Sequence, residues 1–267
     1  MNLENLLTYS PVQWQIVAHI LVLGFAAQAA GLVYFLATLR DLAPRYRIAS
    51  VLGSIVMVSA FLLLLAQSLS WQSTFVFQND VFVRGEGLFS NGFRYLNWLI
   101  DVPLLLLQLV VVLGLAAAAA RRLGILFVGS GVAMIVLGYI GQFYETSNLT
   151  GLWIWGAVST IFYIVLLYLT WTEIGKALPK LPESATATMK MIRWIFVIFW
   201  TFYPIAYIIP AILPTANGIV ARQVIFTTAD IVAKVIYGVL ITKVAMDLSR
   251  AEGYAPTLAE AGLESAD

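Results

Sequence analysis

The sequence predicts an all-α membrane protein: a bundle of seven transmembrane helices, N-terminus outside, with a short β-hairpin between helices 2 and 3. Three observations predict it. Of 267 residues, 61% are hydrophobic and only 11% charged, with a mean hydropathy of +0.90; soluble domains carry about 25% charged residues. Seven apolar stretches each reach the roughly 20 residues that cross a hydrocarbon core. Lysine and arginine collect on one side of those stretches.

The first stretch, 14–39, follows "MNLENLLTYSPVQW". That start has no basic region and carries Glu4, so the stretch reads as a span and not as a cleaved signal peptide. The second covers 48–70. The longest connection, 71–91, contains "STFVFQNDVFVRG", where two β-prone runs flank Asn79-Asp80 as in a hairpin. The remaining spans cover 92–119, 123–145, 151–174, 190–213 and 219–248, with short connections. Pro103 and Pro204 fall inside spans 3 and 6 and should kink them. Arg40, Arg45, Arg47, Arg121, Arg122, Lys176, Lys180, Lys190, Arg193, Lys243 and Arg250 share one side, against Arg84, Arg94 and Arg222 on the other. The basic side is therefore read as cytoplasmic. Residues 1–250 form one domain, and the polar, acidic 251–267 reads as a disordered cytoplasmic tail.

Composition also excludes functions. A net charge of +1 gives nucleic acid no foothold. The absence of cysteine removes disulfides and thiolate metal sites, and a single histidine, His19, argues against a histidine metal centre.

Three ionisable residues fall well inside spans: Asp101 in the third, Asp230 and Lys234 in the seventh. Intramembrane charges mark functional paths by default. Asp230 and Lys234 are four apart and share a helix face; a structural ion pair is the bland alternative. Two acids beside one lysine leave an excess of negative charge unless something compensates. A lysine in an apolar pocket also suits a covalent, Schiff-base role. On span 3, Arg94, Asn97, Asp101 and Gln108 fall on one stripe. They extend over about 21 Å at 1.5 Å per residue. That stripe reads as a translocation path, against the simpler alternative of interhelical hydrogen bonds. Trp98, Trp200, Tyr203 and Tyr207 gather at a similar depth, beside Pro204, where a flat conjugated ligand would fit.

With these residues in view, the sequence resembles the microbial rhodopsins over nearly its whole length. "RYLNWLIDVP" is similar to the family's third helix, "WTFYPIAY" to the sixth and "DIVAKVIYG" to the seventh. The triplet Asn97, Asp101, Gln108 resembles that of light-driven sodium-pumping members. "NLENLL", "VSAFLLL", "GYIGQFYETSNLT" and "VARQ" point the same way. The resemblance implies all-trans retinal bound covalently to Lys234, and sodium as the transported substrate. It implies that Asp101 is counterion and proton acceptor, Asp230 the second carboxylate, and Asn97 and Ser59 the partners between which Asp101 exchanges. Arg94 would gate the outer half. Glu4, Glu145 and Arg222 would form an ion-release cluster. Gln108, Ser50 and Gly53 would line the uptake side. Trp98, Met134, Gly138, Trp200, Tyr203, Pro204 and Tyr207 would line the retinal, and a transient sodium would meet Asn97 and Asp230. A pentamer in a bacterial inner membrane is implied, with His19 at the subunit contact or packed as an ordinary helix residue.

The chain departs from some relatives at Ala233, Gly87, Thr242 and Ser50. Alternatives stay open: an outward proton pump, a photosensor, or a seven-helix receptor without retinal. A chloride pump is disfavoured, because Asp101 would repel the anion. Gly156, beside the expected ring of retinal, is read as a close-packing position, with a lipid or carotenoid contact as the alternative.

Overall fold

The computed structural model describes residues 2–255. Among these residues, seven helical segments are long and apolar enough to cross a membrane: Pro11–Ala37, Pro44–Thr74, Gly92–Val112, Ala117–Gln142, Leu149–Lys180, Glu183–Ile212 and Ala216–Ala251. The first four are helices α1 to α4, and α5 is Leu149–Ala177. The sixth span is divided into α6 (Glu183–Ile198) and α7 (Phe202–Ile212). The seventh is divided into α8 (Ala216–Asp230) and α9 (Tyr237–Ala251), joined by a π-helical turn at Ile231–Ile236. Neighbours in sequence pack together, α1 on α2, α2 on α3, α3 on α4 and α4 on α5. The last span closes the bundle by contacting α1, α2 and α3.

Most spans outrun their apolar stretches by a polar turn, and the caps explain the new limits. Ser10 and Gln13 form a reciprocal capping box, with Pro11 at the first helical position. Thr215 caps α8 through the Gly218 amide at 3.2 Å. The expected third span, 92–119, needs correction, since α3 stops at Val112. Gly114 adopts φ +64°, a left-handed stop that ends the helix although the flanking residues stay apolar. The alanine run from 117 therefore begins α4. Helix α3 runs through Pro103 without interruption, whereas the sixth span breaks at 199–201, just before Pro204. Proline removes a backbone donor and crowds the carbonyl four residues earlier, here that of Trp200.

Strands β1 (Phe75–Gln78) and β2 (Val81–Arg84) form the expected hairpin. Asn79 (φ 50°) and Asp80 (φ 64°) supply the two left-handed residues of a tight turn. Tyr9 exchanges backbone hydrogen bonds with Phe82, and Trp14 stacks on the Phe82 ring at 4.3 Å. The N-terminal 3-10 turn Leu3–Leu6 is thereby held over one end of the bundle. Burial, reinforced by the Glu4 carboxylate, pushes the Tyr9 phenol well above its usual range.

At the basic end, Ser249 Oγ accepts from the Ala43 amide at 2.9 Å. Tyr46 OH donates to Glu252 at 2.6 Å, Arg47 donates to Tyr254 OH at 2.9 Å, and Arg45 pairs with Glu252. Glu252 and Tyr254 are thus docked on the first turn of α2, which corrects the reading of everything after 250 as a free tail. Residues 256–267 of that expected tail lie outside the described residues.

Candidate functional site

Arg94, Asn97, Asp101 and Gln108 are all fully buried on one face of α3, as their spacing predicted. They do not form one continuous polar line. The first three belong to a central cluster around Lys234, the one buried lysine among the described residues. Lys234 Nζ lies 3.0 Å from Asp101 Oδ2 and 3.0 Å from Asp230 Oδ1, and donates to Asn97 Oδ1. Asn97 Nδ2 donates in turn to Asp101 Oδ2 at 2.6 Å and to Ser59 Oγ at 3.1 Å.

The two carboxylates are held differently. Asp230 accepts from Arg94 Nη1 at 2.6 Å, Trp98 Nε1 at 3.0 Å and Tyr203 OH at 3.0 Å. Asp101 Oδ1 has no hydrogen-bond donor among the described residues. The excess negative charge expected beside Lys234 is therefore absent. Arg94 supplies the second cation, so two carboxylates face two cations. The low-dielectric core tolerates that arrangement because every charge has a partner. The π turn carries Lys234, and its preceding carbonyl, that of Asp230, meets the Gln28 amide at 3.4 Å. Such turns recur at functional sites.

A second cluster fills the end beneath the N-terminal turn. Arg222 bonds Glu145 through both terminal nitrogens, at 2.8 and 3.0 Å, and pairs with Glu4. The Leu3 amide and Gln142 also donate to Glu145. Gln223 joins this cluster to the centre: it accepts from Arg94 Nη2 at 3.3 Å and donates to Glu4 Oε1 at 2.8 Å. Asn91 donates to the same Glu4 oxygen at 2.9 Å, and Thr227 Oγ1 accepts from Arg94 at 2.7 Å. Gln223, Asn91, Gln142, Thr227 and Gln28 were not singled out in the sequence. They are neutral, so no misplaced charge betrays them.

A third group lies toward the basic end. Gln108 Nε2 donates to the Ala49 carbonyl at 2.7 Å, and Gly53 faces that same nitrogen. Ser50 is buried in the adjacent position on α2, but its Oγ hydrogen-bonds neither to Gln108 nor to any other described residue. His19 lies on the exposed face of α1, so packing inside the bundle is excluded for it. Gly87 faces Thr74 in a groove whose lining holds no carboxylate.

Beside Lys234 runs a cavity. Trp98, Met134, Gly138, Trp200, Tyr203, Pro204, Tyr207 and Lys234, all named from the sequence as lining, line it. Tyr95, Val102, Leu105, Ile135, Tyr163 and Phe226 complete walls that are chiefly aromatic and aliphatic. Gly156 lines it as well, and a methyl group there would lie 2.7 Å from the Tyr207 ring. Close packing at Gly156 is thus the arrangement observed. An apolar slot ending on one amine fits a long conjugated aldehyde condensed with that amine.

Fold and site define a class: a seven-span membrane protein with one buried lysine held between two carboxylates at the end of an aromatic cavity. Residues 15–248 match the family described as bacteriorhodopsin-like protein, and the chain belongs to that family, the microbial rhodopsins. Bacteriorhodopsin-I of Haloquadratum walsbyi is 31% identical over 150 residues, which cover 56% of this chain and 57% of that protein. Among solved structures, a thermophilic rhodopsin is 34% identical with a TM-score of 0.87, covering 93% of this chain and 99% of that one. Xanthorhodopsin, described as a light-driven ion pump with dual chromophore, is 33% identical with the same TM-score and coverage. Membership implies a retinal chromophore bound to a lysine.

Proposed function

We propose that the chain is a light-driven transporter, not an enzyme, and that it exports sodium. The observation that carries this reading is the placing of acids. Asp101 and Asp230 both lie 3.0 Å from Lys234 Nζ. Toward the basic end the next buried polar side chain of α3 is Gln108, an amide. A pump that draws protons from the basic end needs a dissociable acid there, and an amide has no proton to give at neutral pH.

Lys234 would hold the retinal, with Trp98, Met134, Gly138, Trp200, Tyr203, Pro204 and Tyr207 as walls. When bound, retinal supplies light absorption, a change of shape and a protonated nitrogen at the Lys234 position. While Nζ carries its proton, the path is closed to cations: unit charges 4 Å apart repel by about 4 kcal/mol at an effective dielectric of 20. Asp101 accepts that proton, because its Oδ1 has no donor while Asp230 is occupied by Arg94, Trp98 and Tyr203. Both members of the pair are then neutral. Asn97 Oδ1, which had accepted from Nζ, is released. With Asp230 it offers a hard cation the oxygen ligands it prefers. The neutralised Asp101 exchanges between Asn97 and Ser59. Sodium enters past Ser50, Gly53 and Gln108. Return of the proton to Nζ closes the path behind it. Sodium leaves past Arg94 toward Glu4 and Glu145, where two carboxylates share the single guanidinium of Arg222. Moving one charge against 100 mV requires about 2.3 kcal/mol, which light provides.

On this reading the basic end faces the cytoplasm of a bacterial inner membrane and the Leu3–Leu6 turn faces outward. The chain forms a homo-oligomer, a pentamer by resemblance, with the exposed His19 at the contact. The Lys234–Asp101 contact also supports outward proton pumping when sodium is absent. Illuminated cells in sodium medium should take up protons passively, and a protonophore should enhance that uptake. Abolition of the pH change by the protonophore would replace sodium export with proton pumping.

A further inference from the structure

On the basic side of Lys234, beside the buried pair Tyr237 and Phe196, the ring of Phe35 on α1 is fully buried. Glycines make its seat on two other helices. A methyl group at Gly53 would lie 3.2 Å from Phe35 Cδ2 and 3.3 Å from Cε2. A methyl group at Gly238 would collide with Phe35 Cζ. The same position at Gly53 lies 2.8 Å from Gln108 Nε2, so ring and amide stand on either side of one glycine.

The Phe35 ring lies between two tiers of polar atoms. Gly238 is one turn from Lys234, about 6 Å along the axis, and Thr242 is one turn further. The inner tier holds Asp101, whose Oδ1 is unpartnered; the outer tier holds Ser50 Oγ and Thr242 Oγ1, also unpartnered among the described residues. Gln108 Oε1, at the level of the ring, has no donor either. Buried oxygens are ordinarily satisfied, and open oxygens are what a partly dehydrated cation requires. A benzene ring in their midst supplies no oxygen ligand and fills the space beside Gly53 and Gly238.

We propose that Phe35 is the gate on the cation's entry path: its ring occupies the slot between Gly53 and Gly238, and it swings aside to admit a cation from the Ser50–Thr242 tier to the Gln108 amide and Lys234. The proposal rests on the cation-pump reading above. The two small residues set the width of the slot, and rotation about two side-chain torsions opens it without moving a helix. Phe35 carries no group that could give or take a proton, so it would act on entry and not on proton transfer.

The test uses the retinal-loaded protein in nanodiscs, with flash absorbance followed at a series of sodium concentrations. Variants are Phe35→Ala, Phe35→Leu and, as a packing control, Phe127→Leu on α4, which is equally buried and outside the site. The sodium-dependent relaxation should speed up about tenfold in Phe35→Ala, the effect of lowering a barrier by roughly 1.4 kcal/mol. Phe35→Leu should give a smaller acceleration, and the step before it, proton transfer from Nζ, should keep its rate. Phe127→Leu should match wild type. Phe35 variants indistinguishable from wild type, or a Phe127→Leu acceleration of equal size, overturn the gate while leaving the pump reading intact. A wild type without any sodium-dependent phase overturns the pump reading, and the gate with it. If Phe35→Ala fails to load retinal, Phe35→Leu decides the matter.

Discussion

Arg222→Gln should be among the most destabilising single changes in this protein. Arg222 is fully buried and makes two hydrogen bonds to Glu145, at 2.8 and 3.0 Å, besides its pairing with Glu4. The glutamine leaves two carboxylates facing each other with no cation between them. Breaking a buried pair by removing one partner costs about 3–5 kcal/mol, because the remaining charge stays buried. At about 2–4 °C per kcal/mol, the thermal midpoint, followed by loss of the visible band, should fall by several degrees or more. Glu145→Gln alone should cost less, since Glu4 remains to balance Arg222. The double variant Arg222→Gln/Glu145→Gln should lose less than the sum of the singles, the signature of direct coupling. A loss below about 1 kcal/mol for Arg222→Gln, the range of an exposed pair, would refute the reasoning, as would strict additivity.

Asp101→Asn should stop transport and shift the visible band, because Lys234 Nζ loses the carboxylate 3.0 Å away; retained sodium export would remove Asp101 from the acceptor role. Gly156→Leu should lower the ratio of visible to ultraviolet absorbance, since its Cβ would start 2.7 Å from the Tyr207 ring and drive that ring into the cavity. Unchanged retinal content would show that the cavity wall yields. Gly114→Ala should cost about 1 kcal/mol, because alanine is strained at φ +64°, and nothing within 4 Å adds to the effect. A thermal midpoint equal to wild type would count against Gly114 as a conformational stop.

Hydropathy made the seven spans legible, because the bilayer leaves a chain few other choices. Turn chemistry did the same for Asn79-Asp80, whose neighbours favour strands. The end of α3 was not legible, since apolarity continues through Leu113 and Leu115 and only the backbone at Gly114 breaks the helix. Misplaced charges gave Asp101, Asp230 and Lys234 directly. They could not give the role of Arg94 in neutralising Asp230, because a span-end arginine looks like an interfacial anchor until the helices are packed. The neutral bridge from Arg94 through Gln223 to Glu4 was hidden for another reason. Amides are cheap at helix ends, and their burial follows only from the N-terminal turn folding over the bundle. Phe35 was invisible for the opposite reason, being one more apolar residue in an apolar span until Gly53 and Gly238 are seen on either side of its ring.

The central claim is that this chain moves sodium outward while its proton stays between Lys234 and Asp101. The most direct measurement is light-driven movement of radioactive sodium across proteoliposomes of known protein orientation, with a protonophore present. Sodium should move from the basic side to the side of the Leu3–Leu6 turn, undiminished by the protonophore. Sodium that fails to move in the light, with proton movement in its place, would contradict it.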